Sequence, residues 1–287
     1  MILTNSTTAE VGTSNVNAIA SATASFRQFM CYAVTTISAA ITGTTGLIKN
    51  GIGGLTLNGV CDYTGPTQIN AGQIAISSAS TLNGVISGAG SLTKTGTTVL
   101  TIRGSNTYSG GTLSAPSLAT GTITFSQNNA FGTGLFTSAG PSQIVCTATS
   151  TLTNNFQVNA AQSLQFRVNA ATVILTISGN IAGSGSISKT STGQLRLNGT
   201  LSYTGSTTIS SGTLRALKTT GASTATATFT TGLSVSFNVP PPSGTTEFRF
   251  FQGSTTNSYP SVTLVGVPVG TTATYTSATS TLSVTVP

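Results

Sequence analysis

The chain of 287 residues contains no histidine and only three acidic residues, Glu10, Asp62 and Glu247. Without histidine there is no imidazole general base, no serine triad of the usual kind and no histidine metal ligand. A single Asp excludes the Asp-rich loops that bind calcium. Paired-carboxylate catalysis needs two acids at one site, and these three lie far apart in different segments. The three cysteines, Cys31, Cys61 and Cys146, are odd in number and widely spaced, so they imply no disulfide framework and read as small buried hydrophobes. No apolar run reaches the ~18 residues of a membrane helix. The opening 25 residues also lack the apolar stretch of a secretory signal, so none is read there.

Charge is scarce as well as unbalanced. Ten Lys and Arg against three Asp and Glu give a net charge of +7, with charged residues only 5% of the chain. The bases run singly from Arg27 to Arg249 and form no patch, which speaks against a nucleic-acid interface. A weak attraction to an acidic surface at low salt is what this balance allows. Solubility must come from Ser, Thr, Asn and Gly. A hydrophobic content of 38% argues against disorder.

Against these absences stands a motif that returns three times in register. It reads Ile-x-Gly, a Lys eight residues after the Ile, Leu-x-(Leu/Ile)-x-Gly, then Tyr-x-Gly fourteen residues after the Lys. The landmarks are Ile41, Gly43, Lys49 and Tyr63; Ile86, Gly88, Lys94 and Tyr108; and Ile181, Gly183, Lys189 and Tyr203. Self-similarity at a fixed period marks stacked units that bury a core together. Period-two alternation in Leu-x-Leu puts the leucines inside and Thr56, Thr101 and Arg196 outside. Because the three lysines share one phase of the repeat, they are expected to align along one edge. The tyrosines should do likewise, with rings packed and hydroxyls wet.

Copies one and two are 45 residues apart and copies two and three are 95 apart, leaving room for a degenerate copy over 121–168. A 45-residue unit fits about two coils of a parallel β-helix, which predicts roughly eight or nine coils. The fold expected is all-β: a parallel β-helix over 29–218, an N-terminal capping or anchoring segment over 1–28, and a small C-terminal β cap or sandwich over 219–287. Helix and irregular strand are both open for Asn15 to Tyr32. Pro240-Pro241-Pro242 marks a break, and Phe248–Phe251, Val262–Val265 and Leu282–Val286 read as strands after it.

Two patterns imitate active sites. Ser91-x-x-Lys94 and Ser186-x-x-Lys189 match the Ser-x-x-Lys of serine acyl-enzymes without the partner motifs. Gly88-Ala-Gly90 before Lys94 imitates a phosphate loop but lacks Gly-Lys-Ser/Thr and a following helix. Both recur with, or sit inside, the repeat and read as scaffold. No catalytic, metal or cofactor residue is assigned, and no cofactor is expected.

Gly90-Ser-Leu-Thr-Lys-Thr-Gly96 with Leu100 to Thr112, and Gly185-Ser-Ile-Ser-Lys189 with Tyr203 to Leu214, resemble the autotransporter-associated β-strand repeat. Asn129-Ala-Phe-Gly-Thr-Gly134 and the closing segment from Phe250 to Val286 also resemble passenger sequences. The resemblance implies a right-handed β-helix of surface-exposed proteins and brings no catalytic residue. With no export signal or translocator barrel read in the sequence, the expectation is a non-enzymatic structural protein of a tailed-phage virion, a head decoration protein or else a fibre or spike. Its expected partners are capsid or other virion proteins and copies of itself, three by analogy with phage appendages, with a host-surface glycan as a further candidate. Neither nucleic acid nor membrane insertion is expected. The alternative is a bacterial surface adhesin or autotransporter-like passenger that binds glycans. A third reading, a β-helix carbohydrate lyase or hydrolase, is disfavoured by the shortage of carboxylates.

Overall fold

The structure is a computed structural model that describes residues 26–116, 120–205, 207–209, 213–216, 227–229, 233–236, 244–249, 262–265, 269–270, 272–276 and 281–286. Most of the described residues form parallel β-solenoid coils, about nine turns in all, with no helix among them, matching a right-handed parallel β-helix. The chain divides into two compact units, 1–145 with 151–154 and 146–150 with 155–287.

In the first unit, each strand pairs in parallel with a strand one coil further along the chain. Phe26–Met30, Gly46–Asn50, Thr67–Ile69 and Ile86–Ser87 make one sheet. Thr35–Ile37, Gly54–Leu57, Gln73–Ile76, Ser91–Lys94, Thr112–Ser114 and Phe136–Ser138 follow one another in a second. Ser80–Leu82, Val99–Ile102, Gly121–Phe125 and Ser142–Cys146 follow in a third. The partners Phe26 and Gly46 are 20 residues apart, and Gln73 and Ser91 are 18 apart. One coil is therefore close to 20 residues. Strands this short persist because parallel pairing on both sides satisfies the backbone while the coil interior takes the alternate side chains.

The alternation read from Leu-x-Leu holds in all three copies. Leu55 and Leu57, Leu100 and Ile102, and Leu195 and Leu197 are buried, while Thr56, Thr101 and Arg196 between them are partly exposed. The degenerate stretch is a full part of the solenoid. There the core is aromatic: Phe131 packs against Phe125 and Phe136 at ring-centroid distances of 5.3 and 4.9 Å. All five phenylalanines from Phe125 to Phe166 are buried, so ring volume takes over where the motif lapses. Cys31, Cys61 and Cys146 are buried free thiols, as the small-hydrophobe reading required.

In the second unit, Ser163–Val168, Ser186–Thr190, Thr207–Ile209 and Ala227–Phe229 pair in parallel. So do Ile174–Ile177, Gln194–Leu197 and Thr213–Ala216. Leu233–Ser236 pairs in parallel with Val262–Val265, whereas Gly244–Arg249, Thr281–Val286 and Thr272–Thr276 form an antiparallel sheet. Val262–Val265 and Leu282–Val286 are thus strand as read, Phe248 and Arg249 end a strand while Phe250 and Phe251 lie outside the described residues, and Val269–Gly270 is a turn. Of the open segment from Asn15 to Tyr32, Phe26–Met30 is strand. Residues 1–25, the triple proline and Gly253-Ser254 lie outside the described residues.

Candidate functional site: repeat landmarks and outward faces

The three repeated lysines are buried, at 0–1% exposure, and do not line an edge. Each occupies an inward position on its strand. Lys49 stands in register between Phe29 and Ile69, Lys94 between Ile76 and Ser114, and Lys189 between Phe166 and Ile209. None stacks on another. The expectation of an aligned lysine edge is corrected here for a geometric reason. A 45-residue repeat is not a whole number of ~20-residue coils, so Lys49 and Lys94 fall on different sheets of the first unit.

Burial is tolerated because each ammonium meets backbone carbonyls at the end of its strand. Lys49 Nζ donates to the carbonyls of Asn50, Gly51 and Ala71 at 2.9, 2.8 and 3.1 Å. Lys94 Nζ donates to Gly96 O at 2.5 Å, and Lys189 Nζ to Thr190 O and Ser191 O at 2.8 and 2.7 Å. These carbonyls lie where the chain leaves its strand and turns, Asn50 O also accepting from the Cys31 N–H, and a three-donor ammonium serves several at once. Desolvation lowers the lysine pKa at all three positions, to about 8 at Lys94 and at Lys189.

The tyrosines are likewise internal. Tyr63, Tyr108 and Tyr203 are 0–1% exposed, and each hydroxyl bonds to the hydroxyl of the threonine four residues on, Thr67, Thr112 or Thr207. The wet hydroxyl expected from sequence is therefore wrong: a buried phenol needs a partner, and the motif supplies it. Burial pushes all three phenols up in pKa, against the partial compensation of the threonine bond. The fuller motif is Tyr-x-Gly-x-Thr, and the threonine was visible in every copy.

Sequence reading also missed a side-chain bridge two residues before the tyrosine. Ile41 pairs with Cys61 and Ile181 with Leu201 through backbone bridges. In the second copy Asn106 stands at that position, and its Oδ1 accepts from the Ile86 N–H at 2.7 Å while Nδ2 donates to Ala130 O at 2.6 Å. A side-chain amide thus replaces a backbone carbonyl where the coil lacks a bridge.

The two active-site imitations are not assembled. Along Ser186–Thr190 the inward residues are Ile187 and Lys189, and Ser186 lies on the opposite face, as residues three apart in a strand must. Leu92 and Lys94 are both buried on their strand, and Ser91 is three residues from Lys94 in the same way. Gly88-Ala-Gly90 is a corner pressed onto the preceding coil. Gly88 has φ +101°, and the Gly90 N–H donates to Ile69 O at 2.7 Å, leaving that amide unavailable to a phosphate. Gly43 and Gly183 hold the same motif position with φ +95° and +111°.

The outward surface is therefore poorer in charge than the composition suggests. Arg27 is 6% exposed and donates to Thr42 O and Thr45 O, so among the described residues four cations, Arg27 and the three lysines, are internal. Among the described residues, no group of three or more Cys, Asp or Glu is placed to hold a metal ion. No described helix is long and apolar enough to cross a membrane.

Three segments, 47–76, 92–113 and 187–216, match the passenger-associated-transport-repeat. Each begins two residues before a buried lysine, at Leu47, Leu92 or Ile187, and includes the tyrosine that follows it. No curated protein and no solved structure matches the chain.

Proposed function

We propose that this chain, which carries three passenger-type repeats on a parallel β-solenoid, is a non-enzymatic scaffold displayed at an outer surface. The observation that carries the reading is what the repeat's landmark residues do. In every matched copy the distinctive residues are spent on holding the coil together: Lys on carbonyls, Tyr on Thr, Gly at the corner. The outward positions are left to small polar residues, a few arginines and exposed apolar side chains such as Tyr32, Val34 and Ile52, which suits a surface that presents contacts and performs no reaction. The sequence supports the same conclusion through its missing histidine and its three scattered acids.

Two outer surfaces are proposed for the display, a tailed-phage particle and a bacterial envelope, the latter being where passenger repeats belong by name. An antibody raised against the purified chain separates the cases. Binding to intact cells places it on the envelope, and binding to purified phage particles places it on the virion. Detection only after cell lysis, with none on purified particles, would falsify surface display.

A further inference from the structure

We propose that Asn83–Gly84 is a site of spontaneous deamidation, which adds a carboxylate at a corner of the coil, and that the fold protects the same dipeptide elsewhere. Asparagine followed by glycine occurs at Asn50, Asn58, Asn83 and Asn198. In such a pair the glycine nitrogen gives up its proton and attacks Cγ of the asparagine. The Cγ–Nδ2 bond breaks, ammonia leaves, and a five-membered succinimide forms. Water then opens the ring at either carbonyl, giving aspartate or its β-linked isomer, isoaspartate. Nothing is oxidised, and water is the only other reactant. Glycine favours the step because no Cβ hinders the attack.

Two of the pairs lie in one and the same pentapeptide, Thr-Leu-Asn-Gly-Val, at 56–60 and 81–85, so local sequence gives them equal reactivity. The structure separates them. Asn58 Oδ1 accepts from Ser77 Oγ on the next coil at 2.7 Å, and the Gly59 N–H donates to Ile37 O at 3.4 Å, so both reacting groups are engaged. Asn50 is held in a similar way, its Oδ1 accepting from Asn70 Nδ2 at 2.7 Å. Among the described residues neither the Asn83 side chain nor the Gly84 N–H makes a hydrogen bond. Asn58 is exposed and Asn83 half-buried, so solvent access alone would rank the two the other way. The attack is internal, however, and depends first on an amide and a side chain with no bond to break. Gly84 itself is fixed by the fold, because a Cβ there would lie 2.3 Å from Gly65 O. Leu82 pairs with Ile102, so the new carboxylate stands next in register to the exposed Arg103, an opposite-charge neighbour on a chain with only three acids. Asn198 follows Leu197, whose partner Ala216 is the last described residue of its strand, so the contrast rests on the other three pairs. None of this depends on where the protein is displayed, and either proposal can fail alone.

The test is ageing of the folded full chain in mildly alkaline buffer, followed by peptide mapping with mass spectrometry. Deamidation registers as the exchange of an amide for an acid, and isoaspartate separates from aspartate by chromatography. Asn83 should deamidate at least about tenfold faster than Asn58 and Asn50, the scale of a hydrogen bond that must first break. In concentrated urea, which removes the coil, Asn83 and Asn58 should react at the same rate, since their pentapeptides are identical. Ser77→Ala, checked for folding by circular dichroism, should bring Asn58 closer to Asn83, and Asn83→Gln should remove the main acidic species that ion exchange resolves after ageing. Asn58 as the faster site of the folded chain would overturn the proposal, as would equal rates at all three. A gap between Asn83 and Asn58 that survives in urea would show that the coil is not its cause, and would overturn it too.

Discussion

A lysine ammonium inside an apolar coil is an energetic liability that the repeat accepts three times. Desolvation holds Lys94 and Lys189 at about 8, below the 10.5 of an exposed lysine. Between those values the unfolded chain binds more protons than the folded one, so stability rises with pH in that window. Cys61 and Cys146 act in the other direction. Burial raises their thiols from 9.0 to about 12 and about 11, so above pH 9 the unfolded chain loses protons that the folded one keeps, and stability falls. The raised tyrosines add to that fall above pH 10. The thermal midpoint should climb from pH 8 to a maximum near pH 9 and then decline. In Lys94→Met the climb should be visibly shallower. A midpoint that falls steadily from pH 7.5 to 9 in the unaltered chain would contradict this account.

At the scale of the element, coil-to-coil contact sets the sequence at the corners. A Cβ at Gly59 would lie 2.0 Å from Ala39 O and 2.2 Å from Ala39 C, backbone atoms of the preceding coil. Gly59→Ala should therefore destabilise the chain by about 3 kcal/mol, the upper end for overpacking, read as a drop in the denaturation midpoint. Gly54→Ala is the control. Its Cβ would meet only the flexible end of Gln73, at 3.3 Å, and should cost less than about 1 kcal/mol. Equal costs would show that backbone approach is not what selects glycine. The same scale explains what could be read in advance. Strand alternation at Leu55, Leu100 and Leu195 was legible because burial follows period two whatever the coil number. The burial of Lys49 and Tyr63 was not, because lysine is seldom internal and nothing in one strand announces the carbonyls of the next turn. The Thr67, Thr112 and Thr207 partners were legible in principle, being fixed in spacing, yet they acquire meaning only once the tyrosine is known to face inward.

At the scale of the whole molecule, the composition overstates the cationic surface. Arg27, Lys49, Lys94 and Lys189 contribute to the net charge of +7 but are withdrawn from solvent. Long-range attraction to acidic partners should accordingly be weaker than the net charge implies and should rest on arginines, Arg103, Arg167 and Arg196 among the described residues. Self-association follows a different logic, since a surface with few charges offers little repulsion between copies. We propose a homo-oligomer, with three copies the expected number. Light scattering coupled to size exclusion should return about three times the 28.6 kDa chain mass at micromolar concentration. A single-chain mass across that range would remove the proposal.

The mismatch between repeat length and coil length also bears on how such a chain can change. Gaining or losing one 45-residue copy keeps every buried partnership of the motif, since Lys, Tyr and Thr find their mates within or next to their own copy. Yet it moves everything downstream by two coils and onto a neighbouring sheet, as the step from Lys49 to Lys94 does. Duplication would therefore work like the indexing of a dial. The interior is copied unchanged, while the outward residues that follow are turned to face a new direction.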